Sequence, residues 1–328
     1  MARNDPRRLP RWRLLVARQE LVILALLVLV SAGLSLQTEN FLAATNLLNL
    51  ARNVSWFAVA AFGVGMVILI GGIDLSSGAV MALAGLVGAL LMQAGWPIWL
   101  AVLGGLLSGA AVGLSNGVLV GLFNTPPFIV TLGMMGVVRG LTFGISGGRP
   151  VRDLPRAFRA LGQSDVWLGP LLVPLPLLTM IAVALLVWLM LRSTVLGRYI
   201  YTLGRGERAL QVAGVRTEWL KVVVYTFSGL LAACGGVIMT AWLGVAAPTA
   251  AADYELDIIA AAVIGGTSLF GGEGSVFGVV LGALLMQVVR TGMVLLGFPT
   301  YLQVGAIGMM IMVVVLIDNF RRRRLLRG

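Results

Sequence analysis

Long apolar runs separated by short polar segments dominate this 328-residue sequence and constrain what it can fold into. A helix needs about 20 predominantly apolar residues to cross the hydrocarbon core of a bilayer. With 59% hydrophobic and 11% charged residues, the chain differs from a soluble domain, in which roughly 25% of residues are charged. The apolar runs lie at residues 21–36, 54–72, 76–93, 97–122, 127–145, 171–191, 219–246, 258–269, 275–297 and 301–317. The sequence therefore predicts an all-α polytopic membrane protein with about ten transmembrane helices.

The runs follow one another without a long soluble insertion, which predicts a single membrane domain over residues 21–318. Segments 1–20 and 319–328 are basic tails on either side of it. Two runs are short for a full crossing. The run at 21–36 can extend into its flanks, whereas the run at 258–269 is typical of a broken or re-entrant helix.

Missing residue types exclude several kinds of chemistry. The sequence has no histidine, so zinc hydrolysis and histidine-based catalytic triads lack their ligands and bases. Its single cysteine, Cys234, has no partner for an internal disulfide, and its single lysine, Lys221, is not part of a phosphate-binding P-loop. We therefore predict no enzyme activity, no metal site and no cofactor in this chain. If ATP drives the protein, another polypeptide hydrolyses it.

The net charge of +11 comes from arginines that flank the apolar runs, a pattern that indicates membrane orientation rather than nucleic-acid binding. Both basic tails are expected in the cytoplasm, which requires an even number of spans. With ten spans the basic loop 192–218 is also inside. The loop 146–170 would then be outside, although it carries the four arginines Arg149, Arg152, Arg156 and Arg159. This placement conflicts with the usual excess of arginine in cytoplasmic loops.

An internal repeat is visible between residues 71–93 and 265–287. The two segments align without gaps, and ten of 23 positions are identical, including the GALLMQ end of each segment. One interpretation is two related halves that build one pathway, as in many transporters. The other is chance similarity among glycine, alanine and leucine. The copies point the same way if ten spans exist and are inverted if 258–269 does not cross, and the sequence leaves both open.

The polar loop 192–218 contains a candidate short helix. Glu207 to Ala213 can form two helical turns, and Gly214 is a suitable C-terminal stop. A helix of this length is not stable alone in water, so it needs a surface to dock on. The alternative is a plain cytoplasmic connector.

The order of Gly204, Glu207, Ala209, Ala213 and Gly214 in this loop resembles the cytoplasmic coupling loop of ABC importer permeases. Three membrane segments resemble the same class, and more narrowly its ribose-type monosaccharide group. They are GGIDLSSGAVMALAG at 71–85, PPFIVTLGMMGVVRG at 126–140 and GGTSLFGGEGSVFG at 265–278. The match runs in order across nearly the whole chain.

This resemblance implies the membrane-embedded permease subunit of a high-affinity importer for a monosaccharide or related small polyol. It implies a bacterial inner-membrane location, a permease homodimer, a cytoplasmic ATPase that binds ATP and magnesium, and a periplasmic or surface sugar-binding protein. The five coupling-loop residues are then expected to serve contact with the ATPase. An ion-coupled secondary transporter of a small polar solute is the alternative. It fits the repeat and the broken run but leaves the loop 192–218 unexplained.

Four residues are candidates for the translocation pathway. Asp74 lies where Gly71 and Gly72 interrupt an apolar run, and an acid inside a membrane segment normally faces protein or water. It either caps the helix that follows or contacts the substrate. Asn116, Phe128 and Thr131 offer hydrogen-bonding groups or an aromatic face for a sugar. The alternative for the polar ones is hydrogen bonding between helices.

A short acidic segment, residues 253–257, precedes the run at 258–269. On the ten-span count it is outside the membrane. It is expected either to be a solvated loop or to meet basic residues of a binding protein.

Overall fold

The computed structural model describes residues 11–310 and residue 312. Within this part the chain is helical apart from one hairpin. Its helices are α1 (Arg11–Gln37), α2 (Ala44–Leu69), α3 (Ser77–Gln93), α4 (Ile98–Gly121), α5 (Pro127–Ser146), α6 (Arg156–Gln163), α7 (Leu175–Ser193), α8 (Val195–Arg205), α9 (Glu207–Val212), α10 (Thr217–Leu243), α11 (Tyr254–Ile264), α12 (Val276–Leu295) and α13 (300–310). The strands β1 (Asp165–Leu168) and β2 (Leu171–Pro174) pair antiparallel. The predicted all-α membrane fold is confirmed.

Seven helices of the described residues are long and apolar enough to cross a membrane: α1 from Glu20, α2, α4, α5, α7, α10 and α12. Helix α3 is apolar but shorter, with 17 residues. Helix α11 has 11 residues, so it rises about 16 Å, roughly half of the hydrocarbon thickness. The count of ten spans therefore stays a prediction. Residues 1–10, the whole of the tail 319–328 and the end of the run at 301–317 lie outside the described residues.

The segment between α5 and α7 differs from the sequence prediction. The apolar run at 171–191 was expected to be one span, but its first four residues form strand β2 and α7 begins at Leu175. A turn with Gly169 in the left-handed conformation (φ +64°) connects β2 to β1. Pro174 and Pro176 favour a helix start here, because proline is tolerated in the first turn and not in a helix interior.

The central helix α2 runs antiparallel to both α10 and α12. Gly63 of α2 packs on Ser228 of α10, near the N-terminal half of that helix. Close to its own C-terminus, Leu69 approaches to within 3.1 Å of the Cβ position of Gly274, just before α12 begins. Helices α10 and α12 therefore run in the same direction.

Helix α3 runs parallel to α10, because Met81 packs on Gly236 and Gly85 packs on Thr240 one turn further along both helices. The two copies of the repeat, which contain α3 and the start of α12, therefore point the same way. Helix α12 begins five positions later in the alignment than α3, since the loop 265–275 is longer than the break at 70–76.

The bundle has two distinct ends. Helices α8 and α9 join the C-terminus of α7 to the N-terminus of α10 and mark one end, which we call the α8 end. The segment 146–170 lies at the other end, which we call the hairpin end. There Gly162 of α6 packs on Trp242 near the C-terminus of α10, and Val151 pairs with Ala246. The arginine-bearing segment is thus at the opposite end from α8 and α9.

Helices α4 and α10 are packed backbone to backbone. Every fourth residue along one face of α4 is glycine, and these residues are Gly105, Gly109, Gly113, Gly117 and Gly121. A Cβ at Gly113 would overlap the carbonyl oxygen of Tyr225, and one at Gly117 would lie 2.6 Å from the Cα of Val222. Small residues allow this close approach, which gives apolar helices van der Waals contact where lipid provides no hydrophobic driving force.

Replacing Gly113 with alanine adds a methyl group where α4 touches the Tyr225 carbonyl, so the two helices must separate. We expect Gly113→Ala to cost about 1–3 kcal/mol, the usual range for overpacking, and to lower the melting temperature in mild detergent. Gly33→Ala is the matched control, because a Cβ at Gly33 of α1 has no atom within 4 Å. Equal melting temperatures of the two variants would contradict the packing described here.

Candidate functional site

The loop 192–218 folds into two helices rather than one. Helix α8 was not predicted from the sequence. It begins after Thr194, whose hydroxyl oxygen accepts a hydrogen bond from the N–H of Gly197 at 3.1 Å. One face of α8 is buried through Gly197, Ile200 and Leu203, which recur every three residues. Thus α8 is an amphipathic helix that lies on the α8 end of the bundle.

Helix α9 is the predicted short helix of this loop. It covers Glu207–Val212, one residue less than expected, and Ala213 is its C-cap. Gly214 adopts the left-handed conformation (φ +77°), and the N–H of Val215 reaches back to the carbonyl of Leu210 at 3.0 Å. This arrangement is a Schellman-type stop, and it confirms Gly214 as the residue that ends the helix.

An ion pair fixes the start of α9 to α10. Lys221 Nζ lies 2.8 Å from Oε1 of Glu207 and donates to Oε2 at 3.0 Å. Partial burial acts to raise the pKa of Glu207, but the hydrogen bonds from Lys221 and Thr217 outweigh it and the pKa is lowered. A lowered pKa means that the ion pair stabilises α9 above the usual range of a carboxyl group and is lost only as the pH falls through that lowered value.

The outer face of α9 is open to solvent. Ala209, Ala213 and Gly214 are exposed, whereas Leu210 is buried and anchors the helix. Val212 is 85% exposed, an unusual position for a β-branched apolar residue on a short polar helix. Sequence reasoning missed Val212, because the apolar residues on either side of it give no sign of which ones are exposed.

Unlike the exposed residues of α9, Gly204 faces the interior of the bundle. A Cβ at Gly204 would overlap the carbonyl oxygen of Leu69 and the backbone nitrogen of Gly272. Gly204 therefore packs inside the helix bundle. The five residues of the predicted coupling set divide into Gly204 on the inner side, Glu207 tied to α10, and Ala209, Ala213 and Gly214 on the outer side.

Two further contacts join α8 to the loop 265–275. The hydroxyl of Tyr201 donates to the carbonyl oxygen of Gly274 at 3.0 Å, and Nε of Arg205 donates to the carbonyl oxygen of Gly272 at 3.3 Å. Burial raises the pKa of Tyr201, with nearby Arg205 opposing the shift, so the hydroxyl remains a donor at neutral pH. Nothing in the sequence distinguished Tyr201 from the other residues of this loop.

The break between α2 and α3 is organised around Asp74, which is 1% exposed. Oδ1 of Asp74 accepts from the N–H of Ser76 at 2.9 Å and from the Ser76 hydroxyl at 2.6 Å. Oδ2 accepts from the hydroxyl of Ser228 on α10 at 2.8 Å. Both oxygens are thus occupied by protein donors. Ser76 is the N-cap residue of α3, and Asp74 fixes it from two residues upstream.

Asn116 and Thr131 approach the same break from α4 and α5. The side-chain amide of Asn116 donates to the hydroxyl of Ser76 at 2.9 Å. The hydroxyl of Thr131 donates to the carbonyl oxygen of Ile73 at 3.2 Å. Three of the four predicted pathway residues therefore meet at one place. Phe128 does not join them, because its side chain is 52% exposed on the outside of α5.

The acidic segment 253–257 is mostly not a solvated loop. Asp253 is exposed, but Glu255 and Asp257 are buried in the first turn of α11. Oδ2 of Asp257 lies 3.0 Å from Nη2 of Arg290 on α12. The expectation of a solvated loop is therefore wrong for Glu255 and Asp257, because the segment folds into a helix that packs inside the bundle.

Comparison with known proteins identifies the family. Residues 46–315 match the model of the family described as branched-chain amino acid transport system / permease component. The ribose import permease protein RbsC of Haemophilus influenzae is 38% identical over 324 residues, which cover 98% of each chain. The corresponding ribose import permease protein of Escherichia coli is 41% identical over 300 residues, 90% of this chain and 92% of the relative.

Another relative is named for a different sugar. The D-allose transport system permease protein AlsC of Escherichia coli is 38% identical over 298 residues, 90% of each chain. No solved structure matches the chain. The resemblance drawn from the loop 192–218 and the three membrane segments is confirmed by these relatives and by the family match. The chain therefore belongs to the branched-chain amino acid transport system / permease component family, as a multi-pass transport permease and not an enzyme.

Proposed function

We propose that this chain is the membrane-spanning subunit of an ABC importer that carries a monosaccharide or related small polyol across the bacterial inner membrane. The observation that carries the proposal is the exposed face of α9, held against α10 by the Glu207–Lys221 ion pair. A short helix that is held at the end of a membrane bundle with its outer face exposed is suited to dock a partner. Relatives named for ribose and D-allose support the sugar class.

The partner at α9 is a cytoplasmic ATPase, which binds ATP and magnesium. A periplasmic or surface sugar-binding protein delivers the substrate at the hairpin end, and a second copy of this chain completes the pathway. In this proposal α8, α9 and both chain termini lie in the cytoplasm. The four arginines of segment 146–170 are then outside. Nearby Asp165 pairs at 2.6 Å with Arg52 of α2, an ion pair at that end of the bundle.

Transport follows alternating access between two global states. ATP binding and a loaded binding protein each favour one of the two states, and the permease moves between them. Ala209, Val212 and Ala213 contact the ATPase, while Glu207 and Gly214 fix the position and the end of α9. Near the pathway, Asp74, Asn116 and Thr131 maintain the break between α2 and α3. Relatives named for ribose and for D-allose are each 38% identical to this chain, which supports a binding protein that sets most of the selectivity.

The alternative, an ion-coupled secondary transporter, needs a relay of ionisable groups inside the membrane. Three ionisable side chains in or next to the membrane helices, Asp74, Arg139 and Arg290, are each engaged by other groups of the protein. Asp74 is bonded to two serines, Arg139 donates to the carbonyls of Pro248 and Ala250, and Arg290 pairs with Asp257. The arrangement of these groups favours the ABC importer.

Placing a charge on the exposed face of α9 tests the ATPase contact. Val212→Asp leaves the fold intact, because the side chain is 85% exposed, and we expect at least a tenfold loss of copurified P-loop ATPase. The measurement is a mild-detergent pull-down with protein identification. The control is Val166→Asp, an exposed valine at the hairpin end. Full ATPase recovery with Val212→Asp, or absence of any ATPase with the unmodified chain, would contradict the proposed role.

A charge swap separates two roles of Glu207. Glu207→Lys places two cations side by side and should loosen α9, which lowers both copurified ATPase and uptake. The double variant Glu207→Lys with Lys221→Glu restores an ion pair of opposite sense and should recover most of the lost ATPase. If the double variant does not recover the copurified ATPase, the ATPase itself binds the Glu207 carboxylate, and the anchoring role of Glu207 is wrong.

Substitutions of Asp74 distinguish a structural carboxylate from a substrate contact. Asp74→Ala removes acceptors for three hydrogen bonds, and we expect a loss of about 3 kcal/mol or more in stability with poor membrane yield. Asp74→Asn keeps one acceptor and should cost less. Thermal melting and uptake of each variant should fall together. Normal melting with abolished uptake in Asp74→Asn would instead indicate direct contact with the substrate.

A further inference from the structure

The helix α8 touches two interruptions of the membrane helices at the same place. One is the end of α2 at Leu69 and Gly71, and the other is the loop 265–275 between α11 and α12. The N–H of Gly272 donates to the carbonyl oxygen of Leu69 at 2.8 Å, a hydrogen bond that ties these interruptions together. Gly204 of α8 lies directly against both of these atoms.

At this place the backbones of three segments are in contact: the end of α2, helix α8 and the loop 265–275. A Cβ at Gly271 (φ +82°) would lie 2.9 Å from the Cα of Gly204 and 3.0 Å from the nitrogen of Gly71. A side chain at Gly204 or Gly271 would push the segments apart, because the nearest atoms at both positions belong to backbone. We call this set of Gly71, Gly204, Gly271 and Gly272 the glycine junction.

Hydrogen bonds on both sides lock α8 to the junction. Tyr201 donates to Gly274 one turn before Gly204, and Arg205 donates to Gly272 one residue after it. Gly274 is followed by Ser275, the N-cap of α12, whose hydroxyl oxygen accepts from the N–H of Gly278 at 2.9 Å. A displacement of α8 therefore reaches the start of α12 through a continuous set of backbone contacts.

The glycine junction is also close in sequence to the buried polar side chains around Asp74, at the break between α2 and α3. Gly71 is three residues from Asp74, and Ile73 between them accepts from Thr131 of α5. The break is thus fixed at one side by α8 and at the other by α4, α5 and α10. Packed interfaces change between discrete arrangements and do not deform continuously. A shift of α8 therefore changes the position of both interruptions that it contacts.

We propose that the glycine junction transmits the movement of the cytoplasmic loop to α3 and α12, and that Tyr201 and Gly204 are positioning residues for transport. This inference rests on the proposed function. It assigns Gly204 a role inside the permease, whereas α9 alone presents the surface to the ATPase. Separate residues therefore bind the ATPase and transmit its movement.

Hydrogen exchange of the backbone amides in 265–275 measures this transmission directly. The complete complex that copurifies with the chain is compared with and without ATP and vanadate. In the unmodified complex we expect ATP and vanadate to change the exchange of this segment. Tyr201→Phe removes one hydroxyl and Gly204→Ala adds one methyl group. Tyr201→Phe should weaken the change by about two- to tenfold, the range for one lost hydrogen bond. Gly204→Ala should weaken it at least as much, because its methyl group overlaps backbone atoms. In both variants the ATPase should still copurify and hydrolyse ATP.

Matched controls use the same chemical changes elsewhere. Tyr301→Phe alters a tyrosine that is 72% exposed on α13, and Gly206→Ala alters a glycine whose Cβ position has no atom within 4 Å. Both controls should keep the full response. If Gly204→Ala fails to fold, Tyr201→Phe still decides the matter, because it leaves the space at the junction unchanged.

The outcomes separate this inference from the proposed function. An unmodified chain that captures no ATPase overturns both. A bound, active ATPase with no exchange change in 265–275, or with an equal change in Tyr201→Phe and the controls, overturns the junction alone. A weakened change in Tyr201→Phe and Gly204→Ala with retained ATPase supports it.

Discussion

A helix that stops inside a membrane bundle leaves backbone groups that lipid cannot hydrogen-bond, and this constraint shapes the centre of the protein. At the break between α2 and α3, the N–H of Ser76 is bound by Asp74 and the carbonyl of Ile73 by Thr131. At the second interruption, the N–H of Gly272 is bound by Leu69. Irregular backbone is tolerated at these two places because other groups of the protein supply the hydrogen bonds that lipid cannot.

The glycines of α4 bring the helices close enough for these hydrogen bonds to form. The face of α4 with glycine at every fourth residue brings Asn116 close enough to α3 to donate to Ser76, since α4 packs on α10 by backbone contact. Ser228 of α10 reaches Asp74 from the other side. Close helix packing and the satisfied break are therefore one arrangement, because a wider separation of α4 from α10 would pull the donors away from their acceptors.

Much of this architecture could be predicted from the sequence. The rest could not be predicted, and the reasons are physical. Apolar runs predict spans because the bilayer sets their length, and Gly214 predicts the end of α9 because it adopts a left-handed conformation there. Asp74 was visible as an acid in an apolar run. Its partner Ser228 was not, because the two are 154 residues apart and serine is common in membrane helices. The inward orientation of Gly204 was hidden too, since spacing in a loop does not show which side of a helix is buried.

The separation of roles in the loop 192–218 follows from how the two helices are held. Helix α9 is tied to the bundle by one ion pair and one buried leucine, so its remaining surface is free to bind. Helix α8 is held by backbone contacts that leave no space for a side chain at Gly204. Because of this close packing, α8 cannot move without moving Leu69 and Gly272. An exposed face on α9 and a tightly packed contact at Gly204 thus lie only a few residues apart in the loop 192–218.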